Sequence, residues 1–319
     1  MTQLICGVDV CSTSLEASLG PDGAAASFPN TPEGIALLAD FCREQGATLV
    51  AMEATGGYER QAWALLSEQG IDVAILNPRA VRQFASGMGR LEKTDRIDAA
   101  MIAWFAEVKQ VQPTVLATAS HRQLRALSTR LRQVTQLRTA QLNQQRLVDD
   151  ASVQNTFDDL LALVNRQISE LAGQIAALIQ ADPLWRELDQ AFRSIRGVAD
   201  RTVARVMAEM PEIGTLPHKT VSKLAGLAPL ANDSGKHHGR RPVRGGRSSI
   251  REILFFVASV AGRYEPDFIA FKQRLADQGK PPKVIRIALA HKLLIRLNAK
   301  ARDVRQTMNL QTLTHLPTA

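Results

Sequence analysis

Over the first third of the chain the apolar positions fall in short runs, and over the rest they recur at three- and four-residue spacing. The two patterns predict strands alternating with helices, then helices alone. "LICGVDV" (4–10), "LEASLG" (15–20) and "AAASF" (24–28) read as three short strands, with "PDG" turning the second into the third. "TPEGIALLADFCREQG" follows as a helix with Thr31 at the N-cap, Pro32 at the first position, Glu33 in the first turn and Gly46 beyond the end. "TLVAME" is a strand, "YERQAWALLSEQG" a helix closed by Gly70, and "DVAILN" a strand stopped by Pro78. One helix starts near Arg79 and another near Thr94, running through "DAAMIAWFAEV". The order β-β-β-α-β-α-β-α predicts a mixed sheet with helices on its faces.

From about Ser120, Leu124, Leu127, Leu131 and Val134 repeat at 3-4-3, as do Ile168, Leu171, Ile175 and Leu178. These predict two long helices folded back as a hairpin or coiled coil, with the polar break at "VDDASVQNT". After Asp182–Pro183 the pattern is that of a compact helical domain. In it, "SIRGVADRTVARVMAEM" has the apolar-Gly-apolar turn of a helix-hairpin-helix module, with Ala199 where a second glycine often stands. "VSKLAGLAPL" is a short helix, "NDSGKHHGRRPVRGGRSSIR" a long basic Gly-rich loop, and residues 250–305 are helix broken at "GKPP".

Charge divides the chain along the same line. Residues 1–110 hold 8 Lys and Arg against 14 Asp and Glu, and the remainder 31 against 17, so a net −6 front precedes a net +14 rear. An acidic front with a basic rear suits metal chemistry in one part and polyanion binding in the other. Arg122, Arg125, Arg130, Arg132, Arg138 and Arg146 lie in a stretch with no acid from His121 to Val148. A solvated face usually mixes signs, so this run favours a phosphate-binding rod over a bland coil. Length allows two domains with cores of their own. No run approaches a membrane helix, the N-terminus lacks a signal-peptide pattern, and Cys6, Cys11 and Cys42 form no CxxC pair. The expectation is a cytoplasmic protein with reduced, mostly buried thiols.

Asp9 ends the first strand, Glu53 ends "TLVAME", and Asp95 and Asp98 share one side of the following helix. Singly, each has an ordinary explanation: a turn cap, an arginine partner, acids at a helix start. Converging carboxylates are stable only when protonated or bridged by hard cations such as Mg²⁺, and paired ions of this kind serve phosphoryl transfer.

"GVD" (7–9), "MEATGGY" (52–58), "NP" (77–78) and "KTDRIDA" (93–99) together resemble the DEDD transposases of bacterial insertion sequences, the "one-ten" family. In the rear, "IRGVADRTVARVMAE" (195–209), "LAGLAPLANDSGKHHGRR" (224–241) and "GGRSSIREIL" (245–254) carry the same resemblance. It implies a RuvC-like catalytic domain of ribonuclease H fold (1–115), an antiparallel coiled-coil linker (116–182) and a mainly helical transposase domain with a serine loop (183–319). It also implies a catalytic tetrad of Asp9, Glu53, Asp95 and Asp98 holding two Mg²⁺, for which Mn²⁺ can substitute. The implied nucleophile is Ser234, beside Lys236, Arg240, Arg241, Arg244 and Arg247, which with the six helical arginines form the expected nucleic-acid contacts. His237 and His238 are left without a role. The implied activity is a bridge-RNA-guided serine recombinase of an insertion sequence, with donor and target DNA and a structured RNA as partners. It would act as a dimer or tetramer at the bacterial nucleoid, without a membrane. A RuvC-like junction nuclease using water, and an inactive nucleic-acid-binding protein, are the competing readings.

Overall fold

The computed structural model describes residues 4–90, 95–115, 118–231, 233–234, 237–239 and 241–314; side chains at 95, 96, 233, 237, 238 and 310–314 are outside that description. The chain forms two units, residues 1–117 and 118–319.

In the first unit, β1 (Ile5–Val10), β2 (Ser14–Ser18) and β3 (Ala25–Pro29) form an antiparallel meander. On the other side of β1, β4 (Leu49–Glu53) and β5 (Asp72–Leu76) pair parallel, giving the order β3-β2-β1-β4-β5. Parallel pairing demands crossovers, supplied by α1 (Pro32–Glu44) and α2 (Glu59–Glu68). This is the mixed sheet, with helices connecting its parallel strands, that the order of elements in the sequence predicts. Alternation sorts the strands onto two cores. Cys6, Val8, Val50, Met52 and Val73 pack with Ile35 and Leu38 of α1 and Leu66 of α2. Ile5, Leu49, Ala51 and Leu76 pack with Val81 of α3 (Pro78–Gly87) and with Ile102 and Ala106 of α4 (Asp95–Lys109). The predicted cap at α1 is present, Thr31 Oγ1 accepting from Gly34 N–H at 3.2 Å. Gly46 beyond that helix adopts φ 72°, a left-handed turn that glycine adopts freely.

The second unit is helical. α5 (Ala119–Gln145) and α6 (Ala151–Ala181) fold back antiparallel, Gln145 Nε2 bonding to Asp158 and Arg138 Nε to Asn165. Their break is shorter than the polar stretch predicts, because Asp150 caps α6 by accepting from the Ser152 and Val153 N–H groups. Leu124 and Leu131 of α5 and Ile175 and Ile179 of α6 share a core with α7 (Pro183–Arg193), α8 (Asp200–Glu209) and α9 (His218–Leu224). Residues 248–314 form three helices rather than two: α10 (Ser248–Tyr264), α11 (Pro266–Asp277) and α12 (Pro282–Thr314). The extra break falls at Glu265, in extended conformation before Pro266. Among the described residues, no helix is long and apolar enough to cross a membrane.

Candidate active site

Val8 pairs with Met52 across β1 and β4, so Asp9 and Glu53 stand one step further along each strand, at the carboxyl edge of the parallel pair. Val8 and Met52 point into the α1–α2 core. Asp9 and Glu53, odd to them, belong to the opposite side, where Ile5, Leu49 and Ala51 meet α4. Gly7 fixes how close α4 comes. A Cβ there would collide with the Ala99 carbonyl oxygen and the Ala103 N–H, so helix backbone lies directly on strand backbone. α4 starts at Asp95, and Asp98 immediately precedes Ala99 in its first turn. Asp98 is half-buried, and Asp9, Glu53 and Asp98 all have interaction partners.

A further acid was missed in the sequence. Glu16 stands opposite Asp9 in the antiparallel register and therefore on the same side of the sheet. Its carboxylate accepts from Ser27 Oγ at 2.6 Å. The alternation of "LEASLG", with Leu15 and Ala17 inside, was the signal for it. Among the described residues, no three Asp, Glu, His or Cys side chains are grouped closely enough to hold a metal ion, and the side chain of Asp95 is not among them. The chemistry of the donor set fits a hard divalent cation: carboxylate oxygens only, on one side of one strand edge.

The loop after Glu53 is held by Glu59. This buried carboxylate accepts from Thr55 N–H at 3.2 Å, Thr55 Oγ1 at 3.1 Å and Gly57 N–H at 2.8 Å. Burial pushes its pKa up, but hydrogen bonds from the backbone at Glu59 and Gly57 and from Thr55 outweigh it and hold the group below its ordinary value. Asn30 ties the turn after Asp9 to this loop, its amide donating to Cys11 O at 2.8 Å and to Tyr58 O at 3.5 Å. Cys6 and Cys42 are buried as expected, but Cys11 is exposed. Hydrogen bonds from the Ser14 hydroxyl and from the Thr13 and Ser14 backbone lower its thiol to about 7.

Ser234 belongs to the second unit and is exposed. The expected loop contains a small hairpin, β6 (Asp233–Ser234) pairing antiparallel with β7 (His237–His238), Ser234 opposite His237. The pairing continues in an isolated bridge between Pro229 and Val243 and in Leu230 N–H donating to Pro242 O. Backbone contact closes its neck. Any Cβ on Gly226 would strike the Gly245 carbonyl, and one on Gly246 would strike Gly226 N–H and Leu224 O. Arg251 Nη1 bonds Gly245 O at 2.6 Å, and Arg247 N–H bonds Leu224 O at 2.7 Å. Lys236 and Arg240 lie outside the described residues.

With this geometry in hand, residues 6–148 match the DEDD-type IS110 family described as "Transposase", and residues 189–273 match "Transposase IS116/IS110/IS902 family". The chain belongs to the IS110 family of transposases. Relatives in the family include the pilin gene-inverting proteins of Moraxella bovis and Moraxella lacunata. Each is 26% identical over 312 residues, spanning 92% of this chain and 94% of the relative. A 43.6 kDa protein of the insertion element IS110 from Streptomyces coelicolor is 29% identical over 145 residues, 45% of this chain and 35% of its own. The RuvC structure of Thermus thermophilus aligns with 34% of this chain and 99% of its own at 17% identity, with a TM-score of 0.25.

Within the second IS110-family region, the turn at 195–199 needs one glycine, not two. Gly197 has φ 97° and packs against the Ala261 backbone, whereas Ala199 caps α8 in an extended conformation open to any residue. The arginines of α5 do not form one stripe. Arg122, Arg125, Arg130 and Arg146 are exposed, Arg132 is half-buried, and Arg138 sits in the hairpin seam with its Nε 2.7 Å from Asn165 Oδ1. Arg241 and Arg244 are exposed. Arg247 has internal partners, the Glu209 carbonyl at 2.7 Å and the Glu212 carboxylate at 2.5 Å.

Proposed function

We propose that this IS110-family transposase is a recombinase that cuts and rejoins DNA through a serine–phosphate ester, guided by a structured RNA. Supporting the metal half is the close contact of α4 on Gly7 at Ala99 and Ala103, since Asp98 directly precedes Ala99 and Gly7 is two residues before Asp9. Those four carboxylates would hold Mg²⁺ or Mn²⁺. When bound, the ions lower the energy of negative charge developing on the phosphoryl oxygens.

The residues of the chain account for the rest. Strand pairing fixes the backbone at Asp9 and Glu53, and Asp98 stands on a helix packed against that sheet, so binding a cation would require these side chains to draw together. Glu59 keeps the loop after Glu53 in one conformation. In the transfer step, the Ser234 oxygen forms a bond to phosphorus as the bond to one sugar oxygen breaks. The serine proton passes to solvent or a nearby base, and the departing sugar oxygen takes up a proton. Attack by a sugar hydroxyl of another strand reverses the step and rejoins the DNA. Arg241 and Arg244 stand close in sequence to offer positive charge. That the relatives are named for inverting a gene supports a reaction that rejoins as well as cuts. The exposed arginines of α5 and the basic rear suit RNA and DNA phosphates, and the guide RNA itself rests on the family resemblance.

The test is cleavage by wild type and Asp98→Asn on DNA carrying the element ends with the copurified RNA. Strand cleavage should require Mg²⁺ or Mn²⁺ and disappear in the variant while its melting curve is kept. Full activity in excess chelator would reject the proposal.

A further inference from the structure

The loop between α8 and α9 is held against α12 by two arginines that, among the described residues, bond to carbonyls and to no acid. Arg305 Nε donates to Ile213 O and its Nη2 to Pro211 O, both at 2.9 Å; Arg302 Nη2 donates to Leu216 O at 3.1 Å. Gly214 lets this loop sit on α12, since its φ is 86° and a Cβ would strike the backbone between Ala301 and Arg302. Both side chains are half-buried, and burial lowers the Arg305 pKa, a sign that its charge is poorly solvated. Among the described residues, neither guanidinium has a carboxylate partner, in contrast with Arg205, Arg247 and Arg296. Each guanidinium carries five N–H groups, so most of their donors remain after those three bonds.

Both arginines line a groove of about 520 Å³ whose polar lining is Thr215, Arg302, Arg305, Gln306 and Asn309, without an acid. Two fork-shaped cations, two amides and a hydroxyl around a space with no negative charge suit an oxyanion with several acceptor oxygens. We infer that this groove receives a phosphodiester group of nucleic acid, an anchor apart from the α5 arginines and the serine hairpin. The inference rests on the nucleic-acid reading of the protein. Carbonyl bonds position the arginines, and the polymer's phosphate supplies the missing counter-charge.

Removing the arginines would also undo the loop, so the informative substitutions add an acid. Thr215→Glu and Gln306→Glu place an internal carboxylate in the groove, with Gln306→Ala as a control for lost side-chain volume. Full-length protein is titrated with a DNA duplex and, separately, with a hairpin RNA of matched length over a range of salt. Both acidic variants should melt at or above the wild-type temperature and bind about three- to tenfold more weakly. Their salt dependence should fall by about one phosphate contact while Gln306→Ala stays near wild type. The polymer whose binding suffers identifies the source of the phosphate. Unchanged affinity and salt slope in both arms would overturn the inference and leave the wider reading standing. A lowered melting temperature in both acidic variants would overturn it too, because the arginines would then have no need of an anion. Wild-type protein binding neither polymer would defeat the nucleic-acid reading itself, and this site with it.

Discussion

Asp9 and Glu16 face each other across the antiparallel β1–β2 pair, two acids at one register position on one side of the sheet. Like charges so placed repel, even though Glu16 accepts from the Ser27 hydroxyl and Asp9 has a partner of its own. Glu16→Gln should therefore stabilise the metal-free protein by about 0.5 kcal/mol. In saturating Mg²⁺ the gain should vanish, because a bound cation offsets the same repulsion. Thermal melts of both proteins in chelator and in Mg²⁺ check this; an equal gain in both would place Glu16 outside the metal's influence.

Glu59 gives a prediction in pH. Its folded pKa lies below its ordinary value, so its contribution is complete above the unfolded carboxylate range and lost as pH falls through the folded pKa. Glu59→Gln should cost about 1–2 kcal/mol at neutral pH, as expected for hydrogen bonds to a charged acceptor. The gap between the two melting curves should close as pH falls below about 4. A gap constant from pH 7 to pH 3 would show that packing, not the charge, holds the Thr55–Gly57 loop.

The arginines divide into two behaviours. Replacing the exposed Arg125 or Arg130 by Gln should leave the melting temperature unchanged and reduce the salt slope of RNA binding by about one each. Arg138→Gln and Arg247→Gln remove bonds to Asn165 and to the Glu209 carbonyl and Glu212, so they should lower stability first. Fluorescence melts beside binding titrations at several salt concentrations separate the two classes.

Much of the fold was legible because its signals are local. The strand runs, the Thr31 cap, Pro32 and Gly46 are written within a few residues, and the helix and strand order of the first unit follows from them. Asp9 and Glu53 were readable as strand ends, and their adjacency needed only that the two strands pair in parallel. The alternation of "LEASLG" turns Glu16 away from Leu15 and Ala17, but its place opposite Asp9 depends on the register between β1 and β2 and is not legible. The hairpin at Ser234 is invisible in the sequence because two residues per strand are too few for a period to appear. Charge alone does not reveal which side of α5 faces α6, so the bond of Arg138 to Asn165 is not legible in the sequence. Arg302 and Arg305 escaped notice for a similar reason: their partners are carbonyls some 80 to 95 positions away.

The central claim is that Ser234 becomes covalently joined to DNA under the control of the carboxylates in the other unit. Protein, RNA and end-labelled DNA are mixed in Mg²⁺, quenched in denaturant and run on a denaturing gel. Wild type should retain label at a position of protein plus DNA, whereas Ser234→Ala and Asp98→Asn should each retain none. Mixing those two variants should restore some adduct if one chain's serine serves another chain's carboxylates. Adduct from Ser234→Ala alone, or wild-type cleavage that leaves no label on protein, would contradict the account.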